Sequence, residues 1–118
     1  MREYEGAVEV LARYLADQSG ESAGFADAVL RVKLHAAQIL CHKQHDYGPG
    51  NINGRGLVGV AVRATDKIER LWNLTSTGRD PKNESILDTL LDIENYGTIG
   101  TMYHTGTWPG SPRYGGTE

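Results

Sequence analysis

Leu57 to Leu74 reads LVGVAVRATDKIERLWNL. At about 100° per residue on a helix, Leu57, Val60, Ala61, Ala64, Ile68 and Leu71 cover one side. Arg63, Asp66, Lys67, Arg70 and Asn73 gather on the other. Neighbouring charges stand three or four residues apart, which is ion-pair spacing on a helix. The stretch predicts an amphipathic helix with its apolar face inward. Its charged face is either a solvated surface carrying ion pairs or one wall of an anion site.

Working outward, Thr75 to Lys82 is a polar loop with Gly78 and Pro81. A further helix is expected over about 84–104, with Asn83 as its N-cap and Glu84 in its first turn. Glu84, Asp88 and Asn95 fall in a narrow arc of that helix, with Asp92 at its edge. Leu91, Ile99 and Met102 share the same side. If those apolar residues point inward, the acids do too, and buried carboxylates need partners. Arg63, Lys67 and Arg70 are the candidates, and a metal ion is the alternative. A purely structural ion-pair network that sets helix register remains a third reading.

On the N-terminal side, Gln44 to Gly56 holds four glycines and a proline in thirteen residues. That composition predicts a long loop without regular structure. Connections of this length are usually functional or disordered. Tyr47 can stack on a base, Asn51 and Asn53 can read amide or base edges, and the glycines let backbone N–H groups approach an anion. Before it, 26–43 is rich in Ala and Leu with no Gly or Pro and predicts a helix. Its apolar rows are Phe25, Val29, Val32 and Ala36, and beside them Leu30, Leu34, Ala37 and Cys41. Tyr4, Val8, Leu11 and Leu15 predict a helix near 3–17, broken by Gln18–Gly24. Residues 106–118 read as a loop-like tail after a single helical domain, 1–105. The expected fold class is all-α, a bundle of four to five helices with a long Gly/Asn-rich loop.

The bulk numbers exclude several classes. The chain has 118 residues, 39% hydrophobic and 23% charged, and a net charge of −3. It has no apolar run of the roughly 18 residues that suggest a membrane span. It lacks the basic stripe of a duplex-DNA binder. Cys41 is the only cysteine, so no intrachain disulfide forms. With no signal-peptide pattern at the N-terminus, a cytoplasmic setting is expected. His35, His42, His45 and Cys41 do not show the usual zinc spacing, and Cys41 reads as a small core residue. Trp72 and Trp108 read as partly exposed anchors of a homo-oligomer.

Several separated blocks carry a resemblance. They are His45-Asp46-Tyr47-Gly48-Pro49-Gly50-Asn51-Ile52, then Gly54-x-Gly56, then Arg63-x-x-Asp66-Lys67-x-x-Arg70-Leu71-x-Asn73-Leu74. Asn83-Glu84-Ser85-x-x-Asp88-Thr89-Leu90-x-Asp92-x-x-Asn95-Tyr96 follows. Over about residues 25–108 the chain resembles the nucleotide-modification-associated domain family of the first type, which is common in phages. The resemblance implies a nucleotide as ligand and, for a phage-encoded chain, the host cytoplasm. The ligand-binding set is then Asp46, Tyr47, Asn51, Arg63, Asp66, Lys67, Arg70, Glu84, Asp88 and Asn95. One role it suggests is sequestering a cyclic or modified nucleotide used in host defence. More distantly the chain is similar to MazG-like all-α nucleoside triphosphate pyrophosphohydrolases. That similarity implies Mg²⁺ on Glu84, Asp88 and Asp92, with catalytic residues unassigned. The helix at 57–74 departs from the MazG-like pattern by offering Asp66 alone among three cations. Phosphate binding suits cations, whereas Mg²⁺ prefers carboxylates. Binding without a cofactor, Mg²⁺-dependent hydrolysis and a non-catalytic helical interaction module all stay open.

Overall fold

The computed structural model describes residues 3–116. The chain is all-α. Its helices are α1 (Glu5–Ser19), α2 (Ala23–Tyr47), α3 (Gly50–Asn53), α4 (Gly56–Thr77) and α5 (Ile86–Thr105), and no strand occurs among the described residues. The chain forms two compact units, Met1–Ile39 and Leu40–Glu118, with α2 running from one into the other.

In the first unit, α1 ends where Gly20 turns left-handed at φ 81 and returns its N–H to the Ala16 carbonyl. Only glycine adopts that conformation without steric penalty. Ser22 Oγ then accepts the Phe25 N–H and starts α2. Arg31 grips Glu5 at 2.6 and 3.0 Å and Asp27 at 2.6 Å, tying the two helices together. Val8, Ala12, Ala26 and Ala36 are buried. Of the predicted row Phe25, Val29, Val32 and Ala36, only Ala36 is buried, while Phe25 and Val32 are exposed. Val8 and three small alanines are the enclosed residues of this hairpin. Cys41, expected in the core, is exposed.

In the second unit, α4 and α5 pack together and α3 packs on α4. The core is Ile52, Val60, Ile99 and Trp108, flanked by Leu40, Tyr96, Met102 and Tyr103. Trp108 is therefore a core residue and not an exposed anchor. The reason lies in the segment after α5. Gly106, at φ 93, reverses the chain, and the N–H groups of Gly106, Thr107 and Trp108 all converge on the Met102 carbonyl. The indole then donates to the Pro49 carbonyl at 3.2 Å, and Asn53 Nδ2 reaches the Pro109 carbonyl at 2.8 Å.

The predicted structureless loop is also corrected. Helix α2 continues through His45, Asp46 and Tyr47, and α3 forms one turn within the glycine-rich stretch. Gly48, at φ 69, ends α2, and the Pro49 carbonyl accepts the N–H groups of Ile52 and Asn53. The N-cap of α5 is Ser85 rather than Asn83: its Oγ accepts the Asp88 N–H at 3.0 Å. Glu84 is held ahead of the helix because Arg70 Nη2 takes its carbonyl.

The face that α4 turns inward is also rotated, by roughly 70° at about 100° per residue, from the predicted one. Val60 is buried; Arg63, Ala64, Lys67, Arg70, Leu71 and Leu74 are half-buried; Leu57 and Ile68 are exposed. Partners explain the rotation. Arg70 donates to Thr89 Oγ1 and to the Glu84 carbonyl, and Lys67 meets Glu84 and Asp92. Charge-assisted hydrogen bonds of this kind are strong when sheltered from water, so Lys67 and Arg70 face α5 on the same side as the buried Val60.

Candidate ligand cavity

A cavity of about 360 Å³ opens in the second unit. That size lies at the lower end of the usual range for small-molecule sites. The end of α2 supplies Leu40, Lys43, Gln44 and Tyr47, one turn apart on one face. Asn51 and Ile52 come from α3, Arg63 from α4, and Asp92, Asn95, Tyr96 and Ile99 from α5. Trp108 closes the set from the segment beyond α5. The extension of α2 through Tyr47 puts Gln44 and Tyr47 on this wall beside Lys43. The indole bond to Pro49 fixes α3 opposite them.

Arg63 is half-buried, and its Nη2 makes a long 3.5 Å donation to the Asn51 carbonyl. No ion pair to it occurs among the described residues. A partly desolvated guanidinium without a carboxylate attracts an anion strongly. Beside it, the Asn51 side-chain oxygen is buried and accepts no hydrogen bond. An unsatisfied buried acceptor of that kind asks for a donor. Tyr47 is exposed at the rim, and Tyr96 is half-buried.

The acid in the cavity wall is Asp92. Its Oδ1 accepts from Lys43 at 3.2 Å and its Oδ2 meets Lys67 at 3.0 Å. Lys67 also grips both Glu84 oxygens, at 2.8 and 3.1 Å. Burial, the largest single influence, disfavours the Asp92 charge. Hydrogen bonds from Lys67 and Lys43 outweigh it and hold the carboxyl below its ordinary range. Burial likewise opposes the Lys67 charge, yet its bonds to Glu84 and Asp92 raise its pKa above the ordinary lysine value. Lys43, Arg63 and Asp92 leave the lining with one net positive charge, in a chain whose net charge is −3.

Of the sequence-predicted ligand set, Tyr47, Asn51, Arg63 and Asn95 line the cavity. Lys67 and Glu84 stand behind Asp92 in the ion-pair chain. Arg70 is committed to Thr89 and the Glu84 carbonyl. Asp46, Asp66 and Asp88 are exposed and do not line the cavity. The expected convergence of all the α4 cations with Glu84 and Asp88 thus narrows to Arg63 and, through Lys67, Asp92. Asp88 is exposed on the first turn of α5, and its backbone N–H serves the Ser85 cap. Sequence reasoning missed Lys43, Gln44 and Trp108 as cavity residues. Ending α2 at Lys43 concealed Gln44, the apolar rows of 26–43 gave no reason to single out Lys43, and reading Trp108 as an exposed anchor concealed the third.

The carboxylates expected to hold Mg²⁺ do not fit a metal cage. Glu84 and Asp92 share the Lys67 ammonium, and Asp88 stands apart in solvent. Among the described residues, no three His, Cys, Asp or Glu side chains gather as metal ligands. No helix among those residues is long and apolar enough to cross a membrane. No family model, curated protein or solved structure matches the chain.

Proposed function

We propose that the second unit binds a nucleotide in this cavity and captures it without hydrolysing it. The observation that carries the reading is Arg63: a half-buried cation with no carboxylate partner, on a cavity that also offers aromatic rings and an unsatisfied amide oxygen. Arg63 takes a phosphate by charge-assisted hydrogen bonds. Lys43, aimed by Asp92, takes a second phosphate oxygen. Tyr47 stacks on the base from the rim. Asn51 and Asn95 meet donor and acceptor edges of base or sugar. The resemblance to the nucleotide-modification-associated family points to the same ligand class. On that resemblance the setting is the cytoplasm of a phage-infected bacterium, where capture would withdraw a modified or signalling nucleotide.

Capture is favoured over Mg²⁺-dependent hydrolysis because the acids are occupied by lysines. Asp92 and Glu84 serve as counter-charges that position cations, a role that needs no metal. The test is calorimetric titration of the protein with a panel of linear and cyclic nucleotides, in EDTA and in Mg²⁺, with product analysis. The reading expects binding that survives EDTA, no turnover, and at least a tenfold loss of affinity in Arg63→Ala, about 1.4 kcal/mol or more. Turnover that appears only with Mg²⁺ would replace capture by hydrolysis. Absence of binding to every nucleotide at millimolar concentration would overturn the nucleotide reading itself.

A further inference from the structure

Helix α4 is apolar on more than its inner side. Lys67 and Arg70 face α5 beside the buried Val60, and the side facing water carries Val58, Val62, Ile68 and Trp72, which are 75%, 56%, 47% and 70% exposed. Isolated exposed apolar residues need no explanation, but four on one helix face form a stripe. With about 150–250 Å² for a large side chain, the four expose on the order of 500 Å². That lies in the range for the largest patch on a typical monomer, about 300–600 Å². It is more than half of the roughly 800 Å² that each partner contributes to a stable protein interface, before the small and polar residues between them are counted.

The pattern along the stripe is symmetric. Val58 and Trp72 stand equally far from Thr65 on either side, and so do Val62 and Ile68. The position at the centre is a small, exposed threonine. Two such helices crossing antiparallel at Thr65 approach closely in the middle and pair large side chains at both ends. Glu69, at the edge of the stripe, then falls opposite Ala61 of the other copy and not opposite another acid. Self-pairing is thus free of like-charge contact, which a foreign partner has no reason to match. A two-fold interface demands this kind of self-complementary surface.

We infer that the outer face of α4 is the interface of a homodimer, two copies crossing antiparallel about Thr65. The interface accounts for the exposed stripe: the inner side of α4 makes the α5 contacts and lines the cavity, and its outer apolar stripe is closed by the second copy. The inference is independent of what the cavity binds.

Light scattering after size exclusion at tens of micromolar should return twice the 12.9 kDa chain mass. Trp72→Asp should halve that mass while helical circular dichroism is retained. Should that variant not fold, Thr65→Cys in a Cys41→Ser background provides the second measurement. Under mild oxidation it should form a covalent dimer at low micromolar concentration, because the two thiols face each other at the crossing. A monomer mass for the parent protein would overturn the inference. So would a dimer that neither Trp72→Asp disrupts nor Thr65→Cys cross-links, since its interface would lie elsewhere.

Discussion

The two helical hairpins of this chain are both held by ion pairs, but of opposite kinds. In the first unit, Arg31 joins Glu5 and Asp27 in the open, with its side chain 43% exposed. In the second, Lys67, Glu84 and Asp92 meet with side chains 23%, 28% and 15% exposed, and Arg70 reaches the buried Thr89. Exposed pairs contribute little, because water and salt already screen the charges. Sheltered ones contribute little as net stability too, but breaking one leaves an unpaired charge behind. Their value is geometric. The first cluster fastens two helices; the second holds Lys43 at the rim of a cavity and leaves Arg63 without a partner inside it.

The comparison predicts graded effects. The largest belongs to neither ion cluster but to the residue that closes the second unit. Trp108→Ala should lower stability by about 3–5 kcal/mol, as for other large core truncations, in chemical denaturation. A loss under 1 kcal/mol would mean that the segment after α5 is not part of that core. Next is Asp92→Ala, which strips Lys67 and Lys43 of a shared counter-charge. About 2 kcal/mol is expected, less than the roughly 3–5 for a fully buried pair, because Lys67 keeps Glu84. Arg31→Gln should be the smallest, with a melting temperature hard to distinguish from that of the parent protein.

Acid sharpens the same contrast. The Asp92 carboxyl has a folded pKa below its unfolded value, so its contribution is present above about pH 4 and is lost as pH falls through the folded value. Asp92→Asn should therefore flatten the acid limb of the stability curve below about pH 4. Lys67 has the opposite sign. Its folded pKa is raised, so its contribution is present below about pH 10 and is lost as pH climbs through the folded value. An unchanged acid limb in Asp92→Asn would show that the sheltered network behaves like the exposed one.

Much of the fold was legible because helices are written locally. Period, glycine stops and the polar break at 75–82 placed four helices within a few residues of their observed ends. The short α3 was not legible, since one turn built on Pro49 and two glycines has no periodicity to read. Nor was the rotation of α4. A helical wheel assumes that apolar residues point inward, whereas here the inward direction is set by Thr89, the Glu84 carbonyl and Asp92 on the facing segment. The same limit explains the site. Arg63, Asn51, Tyr47 and Asn95 carry their chemistry openly. Asp88 and Asp92 lie one turn apart on α5, and only the packing distinguishes the exposed one from the one in the cavity wall. Trp108 enters the cavity through a chain reversal at Gly106, which links residues 59 positions apart in sequence.

The central claim is that Arg63 is the anion anchor of a nucleotide-binding cavity. Calorimetric titration of the parent protein and of Arg63→Ala with the best-binding member of a nucleotide panel, in EDTA, tests it most directly. The account predicts saturable one-to-one binding per chain for the parent protein and at least a tenfold weaker constant for the variant, with both proteins equally stable without ligand. Equal affinity in the two proteins, with the fold of each intact, would contradict it.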